Sequence, residues 1–299
     1  PPPPPGNSTH APSTTLVRSK LSLRNGSFST TDLSTGQHIA YKGATRYMKS
    51  PLEYLGELLD TSPLGDIYSL EAVIHDDDEA SPRDREKIGD YGFSYQPGGR
   101  WFYPPDLRIQ GRRVNDLLMA VPSSYRRLPL NDPQRAAGKQ MFEAQLQDRL
   151  VQLGAERVVL DGLLVILDRL VRPGALFHRR IANIHPGITR LESPYERRGA
   201  CATLDALHGA QGYKIVDWKT MEQRPVPPLF KTGASFHYVD NGIDSGEVIA
   251  DVLGTDIDPQ DTILELRWNN FQHSLFPALR KGLEMMARAP ADTPADTTV

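Results

Sequence analysis

The stretch Arg157-Val158-Val159-Leu160-Asp161-Gly162 reads as a buried strand, an apolar run held between charged ends and closed by glycine. The apolar LLVIL, residues 163–167, follows it. A second short strand, Ile181-Ala182-Asn183-Ile184, then runs into the turn His185-Pro186-Gly187. Upstream, the pattern predicts a helix from about Asp132 to Leu153. Pro133 sits in its first turn, and Met141, Leu146, Leu150 and Leu153 form its apolar side. Further back stand a strand at His38–Tyr41 and the turn-rich segment 42–50. A helix from Pro51 comes next, with Leu52, Leu55, Leu58 and Leu59 on one face, and then a strand at Ser69–His75. That strand ends in Asp76-Asp77-Asp78-Glu79, read as a solvated loop because consecutive carboxylates do not converge on one ion. Downstream come a helix near Cys201–His208, a Pro-rich segment 211–230, strands at Ala234–Val239 and Glu247–Val252, and a last helix at Asp261–Ala287. Strand, helix, strand in short order makes the chain α/β with a parallel sheet.

The rest of the chain bounds the function. It has 299 residues, with 34 Lys and Arg against 37 Asp and Glu, a net charge of −3. That balance argues against a nucleic-acid groove or an anionic membrane surface as partner. No apolar run approaches the roughly 20 residues of a membrane helix. A single cysteine, Cys201, allows no internal disulfide and no zinc cluster, which points to a reducing compartment, hence the cytoplasm. Residues 1–36 are Pro-, Ser- and Thr-rich and are expected to be a flexible tail. The opening PPPPPGNSTHAPSTT has no signal-peptide pattern, and its missing methionine suggests a processed end or a remnant of expression. Residues 289–299 read as a second tail, leaving 37–288 as one domain. Two stretches, about 81–130 and 211–230, read as insertions. The first carries Tyr91, Phe93, Tyr95, Trp101, Phe102 and Tyr103, too many aromatics for disorder.

Three polar side chains stand out at strand ends. Asn183 and His185 are two residues apart, so an extended backbone projects both to one face. Asp244 sits in Gly242-Ile243-Asp244-Ser245-Gly246, just past a strand. Ligands of open parallel sheets bind beyond the carboxyl ends of strands. An amide that donates to an oxyanion, an imidazole, and a carboxylate that orients it suit attack on a carbonyl carbon. Other candidates carry less. His237 lies mid-strand and reads as a buried structural histidine. Cys201, at a helix start, reads as packing, and His75, His178, His208 and His273 offer no metal-ligand spacing.

The wording around these residues is more specific. RVVLDGLLVILDRLVRPGALFHRRIANIHPGITRLESPYERRGACATLDAL, residues 157–207, followed by ASFHYVDNGIDSG, residues 234–246, resembles the 10-formyltetrahydrofolate-dependent formyltransferase family. The resemblance is good over about 155–255 and looser over the first strand–helix–strand. It implies a Rossmann-like domain, with a mostly parallel central sheet and helices on both faces. It also implies that Asn183, His185 and Asp244 match a catalytic triad. In that reading an amine nitrogen attacks the formyl carbon, charged His185 and Asn183 stabilise the oxyanion, and Asp244 holds His185 and helps move the proton. The folate contacts implied are Leu164, Val165, Ile166 and Leu167 in the first loop and Val239, Asp240 and Asn241 in the second, with no metal. Leu163, Leu164 and Ile166 would be apolar walls, and Val165, Leu167 and 239–241 would contribute backbone.

Departures from the family pattern select the acceptor. Where glycinamide ribonucleotide formyltransferases have a Gly/Ser-rich phosphate cradle, this chain has GATRYMKS; Gly43, Ala44, Thr45 and Arg46 remain the expected acceptor contacts. About 55 residues follow Asp244, too few for the basic domain that methionyl-tRNA formyltransferases add. The amino-terminal segment is too short and polar for a deformylase regulatory domain. A small amine or hydroxylamine acceptor remains, and residues 190–220 resemble the hydroxyornithine formyltransferases of siderophore (pyoverdine) assembly. Two alternatives stay open. One is an N-formyltransferase of nucleotide-linked amino sugars, with Tyr95, Arg100 and Trp101 as base and phosphate contacts; the other is a formyltetrahydrofolate hydrolase.

Overall fold

The computed structural model describes residues 13–18, 37–76, 106–163, 165–218 and 220–288. Its first element is β1 (Ser13–Arg18), followed by a hairpin of β2 (Gln37–Tyr41) and β3 (Ala44–Met48). Helix α1 (Pro51–Thr61) starts where the sequence places it. The Ser50 hydroxyl accepts from Glu53 N, the Glu53 carboxylate accepts from Ser50 N, and Pro51 occupies the first turn, which needs no N–H donor. Short α2 (Leu64–Ile67) and strand β4 (Ser69–His75) follow. Next come β5 (Arg108–Ile109), β6 (Arg112–Arg113), β7 (Leu118–Ala120) and the long α3 (Gln134–Gln152). The quoted stretch forms β8 (Arg157–Asp161) and β9 (Ile181–His185). The remainder is α4 (Ala202–Ala210), a hairpin of β10 (Tyr213–Asp217) and β11 (Glu222–Pro225), β12 (Lys231–Tyr238), β13 (Val248–Asp256), α5 (Ile263–Asn270) and α6 (Phe276–Arg288).

Seven strands form the central sheet in the order β13-β12-β9-β8-β1-β4-β7. The pairs β9–β8, β8–β1, β1–β4 and β4–β7 are parallel, while β12 is antiparallel to both β9 and β13. One face packs on α1 and α6 through Leu55, Leu59, Leu279 and Leu283. The other packs on α3 through Phe142, Leu146 and Leu150. The sheet is thus mostly parallel with helices on both faces, as expected. Strand alternation sends Val159, Ala182 and Ile184 to the α1–α6 face, and Val158, Leu160 and Ile181 to the α3 face. Asn183 and His185 share the parity of Ile181 and so project on the α3 side.

Several expectations need correction. Residues 13–18 are not tail: β1 is an interior strand of the sheet, paired with β4 on one side and β8 on the other. A strand flanked on both sides can be polar in composition, because its ladders, not its own side chains alone, hold it. His38–Tyr41 is therefore not the first parallel strand but one arm of a separate hairpin, closed by Lys42 and Gly43 in left-handed backbone. Asp76 is not solvated. It is 1% exposed, accepts from Ser123 Oγ at 2.8 Å and pairs with Arg126 at 2.8 Å. Asp77, Asp78 and Glu79 lie outside the described residues. Within the stretch read as an insertion, Leu118–Ala120 is the edge strand of the sheet. Met141 faces solvent, and Phe142 takes its place in the core. The Pro-rich segment holds the β10–β11 hairpin. A π-helical turn, Phe271–Leu275, divides the last helix, where Ser274 Oγ accepts from Gly254 N of β13.

Candidate active site

Strand β9 delivers two of the expected side chains and the turn after β12 delivers the third. Asn183 stands mid-strand, directly opposite His237 of β12, and His185 closes the strand opposite Ser235. The chain then turns through 239–246 and brings Asp244 back over β9 with its backbone in the left-handed region, at φ +47°. Gly246 makes that turn possible, since a Cβ there would lie 1.8 Å from the Tyr238 carbonyl oxygen. Gly187 is needed for a similar reason, because a side chain would meet the Arg197 carbonyl at 2.5 Å. With none there, that carbonyl reaches His185.

The Asp244 carboxylate is the hub. Oδ1 accepts from Asn183 Nδ2 at 3.1 Å and lies 3.5 Å from His237 Nε2. Oδ2 accepts from Gly199 N at 2.8 Å and lies 3.4 Å from His185 Nδ1. Burial opposes ionisation of this carboxyl. The His237 contact, the positive charge available at His185 and the Gly199 N–H outweigh burial and hold its pKa well below the usual carboxylate range. Asp244 is an anion at neutral pH. His185 is 6% exposed, and burial lowers its pKa, with the Asp244 charge and the Arg197 carbonyl opposing. Its Nε2 sits 3.0 Å from the Arg197 carbonyl, which can only accept, so Nε2 carries the hydrogen. The Nδ1 lone pair therefore faces a carboxylate oxygen. A proton entering that gap is shared by both groups, which makes the pair a natural proton acceptor. Asn183, half-buried, adds an amide N–H donor beside it.

Comparison with protein-family models returns no match. Among solved structures, this chain is 59% identical to PvdF, an N10-formyltetrahydrofolate-dependent formyltransferase of pyoverdin biosynthesis. The alignment covers 94% of this chain and 100% of that one, at a TM-score of 0.82. The chain belongs to the N10-formyltetrahydrofolate-dependent formyltransferases. A phosphoribosylglycinamide formyltransferase from Anaplasma phagocytophilum is also similar, with 15% identity, coverage of 93% and 88%, and a TM-score of 0.49.

The formyltransferase brings its two expected folate loops together. Val165 and Leu167 are buried in the α3-side core, and Leu163 and Val239 pack against the same cluster. Ile166 turns outward, 43% exposed. Leu164 lies outside the described residues. Asp240 Oδ1 accepts from Gly242 N and Ser245 Oγ, tying the second loop on itself, with Asn241 exposed beside it. One anchor was not evident from sequence. Glu143 of α3, 3% exposed, accepts from Asp168 N and Arg169 N at 2.9 and 2.7 Å and pins the end of the first loop. A glutamate next to Phe142 on the apolar face of a helix is the signal that was available for it.

The acceptor contacts expected at Gly43, Ala44, Thr45 and Arg46 are not brought to this cluster. Their hairpin is fastened to α5 and the turn before it: Lys42 N donates to Glu265, Lys42 Nζ pairs with Asp258 and Asp261, and Tyr41 donates to Asn269. Arg46 lies against the rings of Tyr41 and Trp268. The reason is topological: those residues lie in a separate hairpin, 25 or more residues beyond the end of β1, and not in the turn that closes that strand. Tyr91, Phe93, Tyr95, Arg100, Trp101, Phe102 and Tyr103 lie outside the described residues. His237, read as structural, belongs to the cluster. Cys201 is half-buried, and burial raises its pKa, which leaves it a poor nucleophile. It borders a polar cavity of about 240 Å³ with Arg197, Arg198, Lys214 and Trp218. Among the described residues, no group of three His, Cys, Asp or Glu side chains is placed to hold a metal ion.

Proposed function

We propose that this formyltransferase moves the formyl group of 10-formyltetrahydrofolate to the side-chain hydroxylamine nitrogen of hydroxyornithine, giving a formyl-hydroxamate for a siderophore. The observation that carries the acceptor is the 59% identity, over 94% of the chain, to a formyltransferase of pyoverdin biosynthesis. Chemistry agrees with it. A hydroxylamine nitrogen is weakly basic and arrives neutral at pH 7, so a site with a modest base suffices, whereas the ornithine amine arrives protonated. We place the reaction in the cytoplasm; no helix among the described residues is long and apolar enough to cross a membrane.

The donor, when bound, supplies an electrophilic formyl carbon and a nitrogen that leaves as N–H. We assign its pterin end to the two loops that meet on the α3-side core. Val165, Val239, Asp240 and Asn241 offer backbone groups there, and Leu163 and Ile166 offer apolar surface. The outward-facing Ile166 and Ile243, 43% and 59% exposed, are apolar area of the kind a planar ring covers. Asn183 Nδ2 donates to the charge that develops on the formyl oxygen. His185 Nδ1 receives the proton from the attacking nitrogen, with Asp244 Oδ2 stabilising the imidazolium, and the proton then passes to the leaving nitrogen. The Gly199 N–H and the Arg197 carbonyl hold carboxylate and ring in place.

The test supplies 10-formyltetrahydrofolate with hydroxyornithine, ornithine, hydroxylysine-type analogues or a nucleotide-linked amino sugar. Tetrahydrofolate release and the mass of the product are followed. Hydroxyornithine should be the preferred substrate and ornithine a poor one. Equal rates with ornithine, preference for the sugar, or release of formate without an acceptor would each refute the assignment.

A further inference from the structure

Two backbone groups grip the pair that takes up the proton. The Arg197 carbonyl accepts from His185 Nε2 at 3.0 Å, and Gly199 N donates to Asp244 Oδ2 at 2.8 Å. They belong to successive peptide planes that meet at one residue, Arg198. Peptide units are planar, so the φ and ψ of Arg198 are the two soft torsions between that carbonyl and that N–H. Those torsions set how imidazole and carboxylate face each other across 3.4 Å. Two neighbouring side chains anchor this stretch to different partners. Arg197 is 7% exposed, with its Nε 3.5 Å from Asp205 Oδ2 of α4. Gly209 leaves room for it, since a Cβ there would lie 2.6 Å from Arg197 Nη2. The half-buried Arg198 instead donates twice to the Thr189 carbonyl, from Nε at 3.1 Å and Nη2 at 2.6 Å, with Glu196 Oε1 3.0 Å from Nε. Thr189 is itself fixed, its N–H donating to Ser235 Oγ of β12 at 3.0 Å. The arginine fork therefore ties the 196–199 segment to the chain that leaves His185.

We propose that Arg198 is a positioning residue for the transfer reaction. Its two-donor grip on Thr189 fixes the torsions of residue 198, so the Arg197 carbonyl stays on His185 Nε2 while the Gly199 N–H stays on Asp244 Oδ2. The grip matters most once His185 has received the proton. An imidazolium has two N–H donors and needs two acceptors. Here they are the Arg197 carbonyl for Nε2 and Asp244 Oδ2 for Nδ1. Arg198 holds the first directly through its own peptide and the second through Gly199 N. This rests on the reading of His185 as the group that receives the proton. The Thr189 carbonyl is a single acceptor atom, so Arg198→Lys keeps a charge-assisted donor to it. Arg198→Met keeps an apolar stem and has no donor. Glu196, which would lose its partner, is itself partly exposed, so Arg198→Met strands no buried charge.

Steady-state kinetics of the full chain with 10-formyltetrahydrofolate and hydroxyornithine decide it, alongside a thermal melt. Arg198→Met should melt cooperatively and lose kcat by about 10- to 100-fold, the scale of misplacing a reacting group by up to about 1 Å, with the folate KM close to wild type. Arg198→Lys should recover kcat to within about fivefold of wild type. Arg198→Met combined with His185→Ala should be no slower than His185→Ala alone, because Arg198 acts through that ring. Nitrogen-edited NMR supplies a readout apart from turnover. The His185 Nε2–H resonance, held on the Arg197 carbonyl in the wild type, should broaden by exchange in Arg198→Met and return in Arg198→Lys. Wild-type kcat or an unchanged Nε2–H signal in Arg198→Met, no recovery in Arg198→Lys, or additive losses in the double variant would each overturn the proposal. So would failure of Arg198→Met to fold, which would make Arg198 a residue of the fold. Full activity in His185→Ala overturns the underlying site reading, and this inference with it.

Discussion

Replacing Asp244 with Asn tests the site at its hub. The substitution keeps the shape and suits the backbone, since Asn tolerates the left-handed conformation that Asp244 adopts at φ +47°. What changes is charge, together with the acceptor for Asn183 Nδ2, because the amide keeps one oxygen and turns the other position into an N–H donor. Across the 3.4 Å between His185 Nδ1 and Asp244 Oδ2, an ion pair in surroundings of effective dielectric about 20 is worth about 5 kcal/mol. That figure is an upper scale for the help the carboxylate gives when His185 takes up a proton. Loss of a single preorganised charge-stabilising group costs about 2.7–4 kcal/mol in comparable sites. The two together place the expected fall in kcat at about 10²- to 10³-fold. The Asn side chain still accepts from Gly199 N, so melting temperature and folate KM should change little. The assay is initial tetrahydrofolate release with saturating hydroxyornithine, alongside a thermal melt. More than a tenth of wild-type kcat in a folded Asp244→Asn protein would refute the role given to the carboxylate.

Other consequences follow from the same geometry. Glu143→Ala removes the acceptor of the Asp168 and Arg169 N–H groups; two charge-assisted bonds at about 1.5–3 kcal/mol each are lost, less what water recovers. The folate KM should rise by about tenfold with kcat nearly unchanged, and an unaltered KM would remove the first loop from the folate site. Deleting residues 1–18 removes the strand between β4 and β8 and should abolish cooperative unfolding measured by circular dichroism. A truncated chain that melts like the full one would show β1 dispensable. Stability should also fall as pH drops below about 6.5, the ordinary histidine value. The folded-state pKa of His185 is lowered by burial, so the unfolded chain binds more protons in that range and gains. Asp244 shifts downward too, but its contribution is complete above the ordinary carboxylate range and does not enter this window. His185→Gln should flatten the urea midpoint between pH 5.5 and 7.5, and an undiminished slope would assign the effect to other groups.

Short-range chemistry was readable from the chain alone. The Pro51 start and the stripe of Leu52, Leu55, Leu58 and Leu59 defined α1, and the apolar runs at 157–161 and 181–184 defined two buried strands. The spacing of Asn183 and His185 defined a shared face, because period-two alternation is local geometry. Family wording at 183–187 and 234–246 singled out Asp244 before any contact was known. Tertiary structure decided the rest, for one reason: the missing facts are pairings between distant segments. Ser13–Arg18 looks like tail until β4 and β8 flank it, since its hydrogen-bond partners lie 56 or more residues away in its ladders with Ser69–His75 and Arg157–Asp161. With β1 as the first parallel strand, Gly43–Arg46 fall in a hairpin 25 or more residues beyond its end and not in the turn that closes it. Asp76 looks solvated until Arg126 closes on it. His237 looks structural until the ladder sets it opposite Asn183 and the turn at Gly246 returns Asp244 to both. A residue's own type and its near neighbours determine its backbone preference. Which charge it meets is determined by where the chain comes back.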